Sequence, residues 1–185
     1  MIDKLLTDTE ERMKKSLAAF RRELSMIRTG KASTALLDGI KVECYGQTMP
    51  LNHVASVSVP EPRMILIQPW DRTILSDVER AIHKSGLGLS PNTDGAIIRL
   101  PIPALSEERR QELVKLVRKH AEEARVSMRN IRRDTNEGLK KDEKDGKVAE
   151  DDSHKTQEKI QKLTDKYIKE IEGSLAGKEK EMMEV

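Results

Sequence analysis

Apolar residues recur at helical intervals along both ends of the chain and at strand intervals through its middle. Met13, Leu17, Phe20, Leu24 and Ile27 step by four, three, four and three, with Leu6 one heptad earlier. That spacing predicts a coiled-coil-like helix that starts near residue 2 or 3 and stops at Gly30. A second stripe is Leu113, Val117, Ala121, Ala124, Met128, Ile131 and Thr135. It predicts a helix that begins after Pro103 at a Ser106-Glu-Glu-Arg cap, with acids in its first turn, and runs to about Asp145-Gly146. Such a helix is roughly 60 Å long, with Gly138 as its weak point. A third helix is expected after Asp151-Asp152-Ser153, with Ile160, Leu163, Tyr167, Ile171 and Leu175 as its seam. None of the three can bury its stripe alone, so the pattern predicts a three-helix bundle.

The middle of the chain changes period. Ile40 to Tyr45 alternates strictly, as a half-buried strand does. Val54 to Val59 and Met64 to Ile67 are further strands, with Pro60-Glu-Pro62 between them. Thr73 to Lys84 carries Ile74, Leu75, Val78 and Ile82 at helical spacing and stops at Gly86. Asp94-Gly95 is a turn signal, and Ala96 to Ile102 alternates again. The fold class is therefore α+β: an elongated three-helix bundle, residues 1–30 plus 105–185, with a small α/β domain, 31–104, inserted into it.

Composition sharpens this division. All seven prolines lie between Lys31 and Ala104, a block with only seven basic and seven acidic side chains, whereas the flanks are densely charged. Aromatics make up 2% of the chain, so its cores must be aliphatic. The chain passes between domains at Gly30-Lys-Ala-Ser-Thr34 and at Leu100-Pro-Ile-Pro103. Two parallel passages restrict relative motion to that of a hinge, with small residues in the first and prolines stiffening the second. Gly30, Ser33, Pro101 and Pro103 are the hinge candidates.

Catalytic and metal chemistry leave no pattern in the sequence. His53, His83, His120 and His154 have no ligand spacing, and Cys44 shares the inward face of a strand with Val42. Ser85-Gly-Leu-Gly-Leu follows a helix and is too short for a dinucleotide loop. No enzyme activity, metal or cofactor is expected. One cysteine excludes an internal disulfide, the amino terminus has no apolar signal core, and no apolar run spans a bilayer. The expectation is a soluble cytoplasmic monomer without a membrane partner.

One charge pattern remains. Arg118, Arg125, Arg129 and Arg132 fall within about 60° of one another on a helix, beside the apolar stripe rather than opposite it. Arginine is always ionised and its planar fork fits phosphate oxygens, so the row reads as a nucleic-acid track. A solvated face is the bland alternative, since Glu122 lies close to the same line. The net charge of only +2 means that layout, not bulk charge, would carry any such binding.

Five segments together give a resemblance. Arg28-Thr-Gly-Lys-Ala32, Ile65-Leu-Ile-Gln-Pro-Trp-Asp71, Ile98-Arg-Leu-Pro-Ile-Pro103, Arg129-Asn-Ile-Arg-Arg-Asp134 and Lys162-Leu-Thr-Asp-Lys166 resemble, in order and spacing, the ribosome recycling factor family. The resemblance implies an L-shaped molecule similar to transfer RNA that binds the large ribosomal subunit and its 23S-type rRNA. It also implies that elongation factor G with GTP joins it to split the post-termination ribosome, and that DNA is not a partner. RNA contacts carry over to Arg28, Arg129 and Arg132, and the hinge to Gly30, Pro101 and Pro103. Position 31, often arginine in the family, is Lys31 here, which keeps the charge but loses the bidentate fork. Arg118 and Arg125 rest on geometry alone. The rivals are a helical adaptor that binds a protein partner with weak salt dependence, and a ribosome-bound factor that does not split.

Overall fold

The computed structural model describes residues 1–183 and divides into two compact units, one formed by Met1–Arg28 with the chain from Glu107 onward, the other by Thr29–Ser106. The first unit contains helices α1 (Ile2–Met26), α3 (Glu107–Lys144) and α4 (Glu150–Met183). The second contains strands β1 (Lys41–Cys44), β2 (Gln47–Pro50), β3 (Ala55–Glu61), β4 (Met64–Pro69), β5 (Asn92–Asp94) and β6 (Ile97–Pro101), with helix α2 (Leu75–Lys84).

The bundle helices match the predicted stripes with a different period. Thr9, Met13, Leu17, Phe20 and Leu24 are the buried positions of α1, and Ser153, Thr156, Ile160, Thr164, Tyr167, Ile171, Leu175 and Met182 those of α4. Thr9 and Phe20, Met13 and Leu24, and Ser153, Thr164 and Leu175 are each separated by eleven residues. Eleven residues in three turns is 3.67 per turn, close to a straight helix, so these seams do not demand the left-handed supercoil of a heptad. This overturns the expected α4 seam at Leu163, which is half-buried, while Thr164 takes the interior. The four buried threonines of these helices each donate the hydroxyl to the carbonyl four residues back: Thr9 to Leu5 at 2.7 Å, Thr135 to Ile131 at 2.9 Å, Thr156 to Asp152 at 2.6 Å and Thr164 to Ile160 at 2.8 Å. With the hydroxyl so satisfied, threonine serves as a small core residue.

The helix ends also move. α1 stops at Met26 rather than Gly30, because Ile27 turns extended (φ −82°, ψ 120°). α4 starts at Glu150, three residues before the expected Ser153 boundary, and places three acids in its first turn. Leu6 lies outside the buried seam; with Ile2 and Leu5 it packs on Leu139, Val148 and Ile160. α3 runs unbroken through Gly138, and a Cβ there would meet nothing within 4 Å.

Tyr167 joins α4 to α1. Its hydroxyl donates to Glu10 Oε1 at 2.9 Å, and Lys166 approaches the same oxygen at 3.5 Å. Burial, then the Glu10 carboxylate, pushes the phenol from 10 up to about 12, and the same hydrogen bond lowers Glu10. A phenol raised on folding contributes stability that is constant below pH 10 and lost between pH 10 and about 12. Alkaline melts of the wild type are therefore expected to fall in that window. Tyr167→Phe should flatten the fall, and an unchanged slope would show that other groups cause it.

The smaller unit has a four-stranded antiparallel sheet in the order β3-β4-β6-β5 and a separate β1-β2 hairpin. Val42 and Cys44 of β1, Ile65 and Ile67 of β4, Ile98 and Leu100 of β6, and Val78 and Ile82 of α2 share one aliphatic core. β2 and β5 add to the four strands placed from the sequence, and β3 continues through Pro60 and Glu61 past an irregularity after Ser58. The expected single helix from Thr73 is a tight turn at Arg72–Ile74 followed by α2. Tyr45 and Gly46 turn β1 into β2 with positive φ of 53° and 70°. The Tyr45 hydroxyl donates to Asp71, which also accepts from Thr73 N at 2.9 Å. Tyr45 and Trp70 are both exposed, so this core has no help from them.

Both chain passages are tied to the β3-β4 turn. Ala32 N donates to Pro62 O at 2.7 Å, and Ile102 N donates to Arg63 O at 2.8 Å. Those carbonyls belong to adjacent residues, so the ends of the insert are held side by side.

Candidate nucleic-acid face of the bundle

The arginine row forms as the spacing requires, since Leu113 to Leu139 turns one flank of α3 inward and leaves the adjoining flank at the surface. α4 returns antiparallel beside it, linked by the turn at Asp145 to Ala149. Moving seven residues forward along α3 therefore moves about seven back along α4. Arg118 Nε donates to Glu179 Oε1 at 2.7 Å, and Arg125 Nε to Glu172 Oε1 at 2.5 Å. The next rung is Arg132 opposite Asp165, and there the pattern breaks. Gln161 intervenes: Arg132 Nη1 donates to Gln161 Oε1 at 3.1 Å, while Gln161 Nε2 donates to Asp165 Oδ1 at 2.8 Å.

The row is thus not the uniform line of available charge that its spacing suggests. Arg125 is largely covered and bonds two carboxylates, the second being Glu122 Oε2 at 2.8 Å. Arg129 reaches Glu122 Oε1 at 3.4 Å and is half exposed. The Arg125 hydrogen bond, with a smaller contribution from Arg129, holds the Glu122 carboxyl below its usual range. Glu179 and Glu172 pull Arg118 and Arg125 in the opposite direction. A phosphate arriving at Arg125 meets a covered guanidinium already bonded to two carboxylates, and one arriving at Arg118 meets a charge already offset by Glu179. Among the described residues, Arg132 is the member of the row held by a neutral amide. It can exchange that amide for a phosphate at small cost, and the new bond is charge-assisted.

The other candidates are divided by the unit boundary. Arg28 is exposed just beyond α1, in the helical unit, whereas Lys31 is half-buried in the smaller one. Of the hinge candidates, Ser33 caps the turn at Thr34–Leu37 by accepting from Ala35 N, and Pro101 pairs with Met64 inside the sheet. Gly30 sits at φ +81°, where a Cβ would also approach Leu105 Cγ at 3.3 Å. Pro103 is exposed and outside any regular element. Spacing on α3 revealed the arginines but not their partners. Glu172 and Glu179 repeat the seven-residue interval of Arg125 and Arg118, a signal usable only once the two helices are paired.

Comparison with known proteins adds evidence independent of this geometry. Residues 20–183 match the family model described as Ribosome recycling factor. The ribosome-recycling factors of Symbiobacterium thermophilum and Syntrophomonas wolfei are 55% and 56% identical over 185 residues, covering all of both chains. That of Bacillus subtilis is 52% identical over the same length. Among solved structures, a solution structure of the ribosome recycling factor aligns with a TM-score of 0.77 at 42% identity, over 100% of this chain and 98% of that one. Models of the T. thermophilus factor and E. coli elongation factor G bound to the E. coli post-termination complex contain a chain aligning at TM-score 0.64 and 42% identity, with 99% of each covered.

Proposed function

The chain belongs to the ribosome recycling factor family, and on that premise we propose that it binds the post-termination ribosome and, with elongation factor G and GTP, splits it into subunits for reuse. The observation that carries this is the 55% and 56% identity with two recycling factors over 185 aligned residues. The T. thermophilus relative studied beside elongation factor G on a post-termination complex supports the choice of partner.

The chain's own part is to grip and to transmit. Arg132, with Arg129 and Arg28, would hold rRNA phosphates of the large subunit, giving affinity with little sequence reading. Arg118 and Arg125 would brace α3 against α4, keeping the 38-residue rod stiff beneath those contacts. Lys31 would add a point charge outside the rod. The pivot would lie at Gly30 and around Pro103, because Ser33 and Pro101 are locked into elements of the smaller unit. Force would come from the partner's nucleotide cycle. No helix among the described residues is long and apolar enough to cross a membrane, and a soluble cytoplasmic monomer fits this role.

The test is light scattering or sedimentation of post-termination ribosomes. Separation into subunits is expected only when this protein, elongation factor G and GTP are all present. Binding without separation would replace this reading with that of a ribosome-bound adaptor.

A further inference from the structure

We propose that Glu23, His120 and Glu123 form a binding site for a divalent transition-metal ion of the Zn²⁺ class, joining the last turn of α1 to α3. His120 and Glu123 are three residues apart and share one face of α3, and Glu23 meets them from α1. Glu23 Oε2 lies 3.1 Å from His120 Nδ1, and Glu123 Oε2 lies 3.5 Å from the same nitrogen. One donor atom from each of the three residues lies within 4.8 Å of the others. Ligands held about 2.1 Å from a tetrahedral zinc are themselves roughly 3.4 Å apart. Two of the three edges already have that length, and the third closes by a small rotation of carboxylates that are more than half exposed.

The imidazole makes this more than a charged surface. His120 Nδ1 is enclosed and forms no hydrogen bond, although a carboxylate oxygen is 3.1 Å away. With its proton on Nε2, the neutral ring would offer the Nδ1 lone pair to a metal held beside the two carboxylates. Two carboxylates and one imidazole are a borderline donor set that favours zinc, cobalt or nickel; Mg²⁺ and Ca²⁺ favour larger all-oxygen shells. The exposed side of the cluster leaves water to complete the coordination. All three ligands lie in the helical unit, so the site needs no second domain and does not depend on ribosome binding.

Titration of the full chain with ZnCl₂ by calorimetry is expected to give one saturable equivalent. CoCl₂ is expected to give the visible absorption of a low-symmetry site. A melting temperature that rises with the logarithm of free zinc is the third signature. His120→Lys keeps a cation between the glutamates but removes the donor, and should weaken zinc binding at least tenfold. Glu23→Gln and Glu123→Gln should each weaken it severalfold, with helical content unchanged. Wild-type zinc affinity in the His120→Lys protein, equal competition by MgCl₂, or no saturation below millimolar zinc would each overturn the proposal.

Discussion

Replacing Arg132 by alanine is expected to weaken binding to the large subunit by about ten- to a hundredfold, whereas Arg118→Ala should weaken it by less than about threefold. A hydrogen bond to a charged partner contributes roughly 1.5–3 kcal/mol. Arg132 gains such a bond by giving up a neutral amide, while the charge of Arg118 is already offset by Glu179, which a phosphate would also face as a like charge. The plot of log affinity against log salt should also lose about 0.7 to 0.9 of slope in the Arg132 variant. Thermal stability should hardly change, since an exposed side-chain contact contributes no more than about 0.5 kcal/mol. Filter binding or fluorescence titration across a salt series decides the matter. Equal losses for the two variants would mean that the pairing to α4 does not select which arginine meets RNA.

The second large effect concerns stability. Phe20 is the one phenylalanine of the chain and is 2% exposed in the bundle core. Phe20→Ala should cost about 3–5 kcal/mol, lowering the helical melt followed by circular dichroism by roughly 15 °C or more. The smaller unit has its own aliphatic core and a built-in reporter in Cys44, buried at 4% exposure on β1. Labelling of Cys44 by a thiol reagent should therefore be as slow in Phe20→Ala as in the wild type below the melt. Faster labelling in step with helix loss would show that the two units unfold together.

Phe20 and Thr164 mark what could be read from the amino-acid order and what could not. Phe20 was legible as core because a large apolar side chain recurs with its neighbours at three and four residues. Thr164 was not, because a hydroxyl looks polar until Ile160 O is seen to accept it, and the adjacent Leu163 fits a heptad better. β2 and β5 left no signal, since Gln47–Pro50 and Asn92–Asp94 are largely exposed and have no apolar alternation. They are strands because β1 and β6 offer them partners. The arginine row was visible as a spacing, while its division into braced and available members depends on α4. His120 and Glu23 are nearly a hundred residues apart, so no ligand spacing could have joined them.

The two hydrogen bonds at Pro62 and Arg63 have a consequence for how the chain assembles. An insert of about 80 residues with loose ends would force the bundle to close a long loop before α1 could meet α3. Because the insert fastens its own entry and exit together, the folded bundle experiences it as a short connection. Loop-closure entropy changes by about 0.6 kcal/mol for each doubling of length. Shortening the effective loop from about 80 residues to fewer than ten spares the bundle roughly 2 kcal/mol. The order of folding then matters: a small domain that forms first acts as a splint, bringing the two halves of an interrupted helical core within reach of each other.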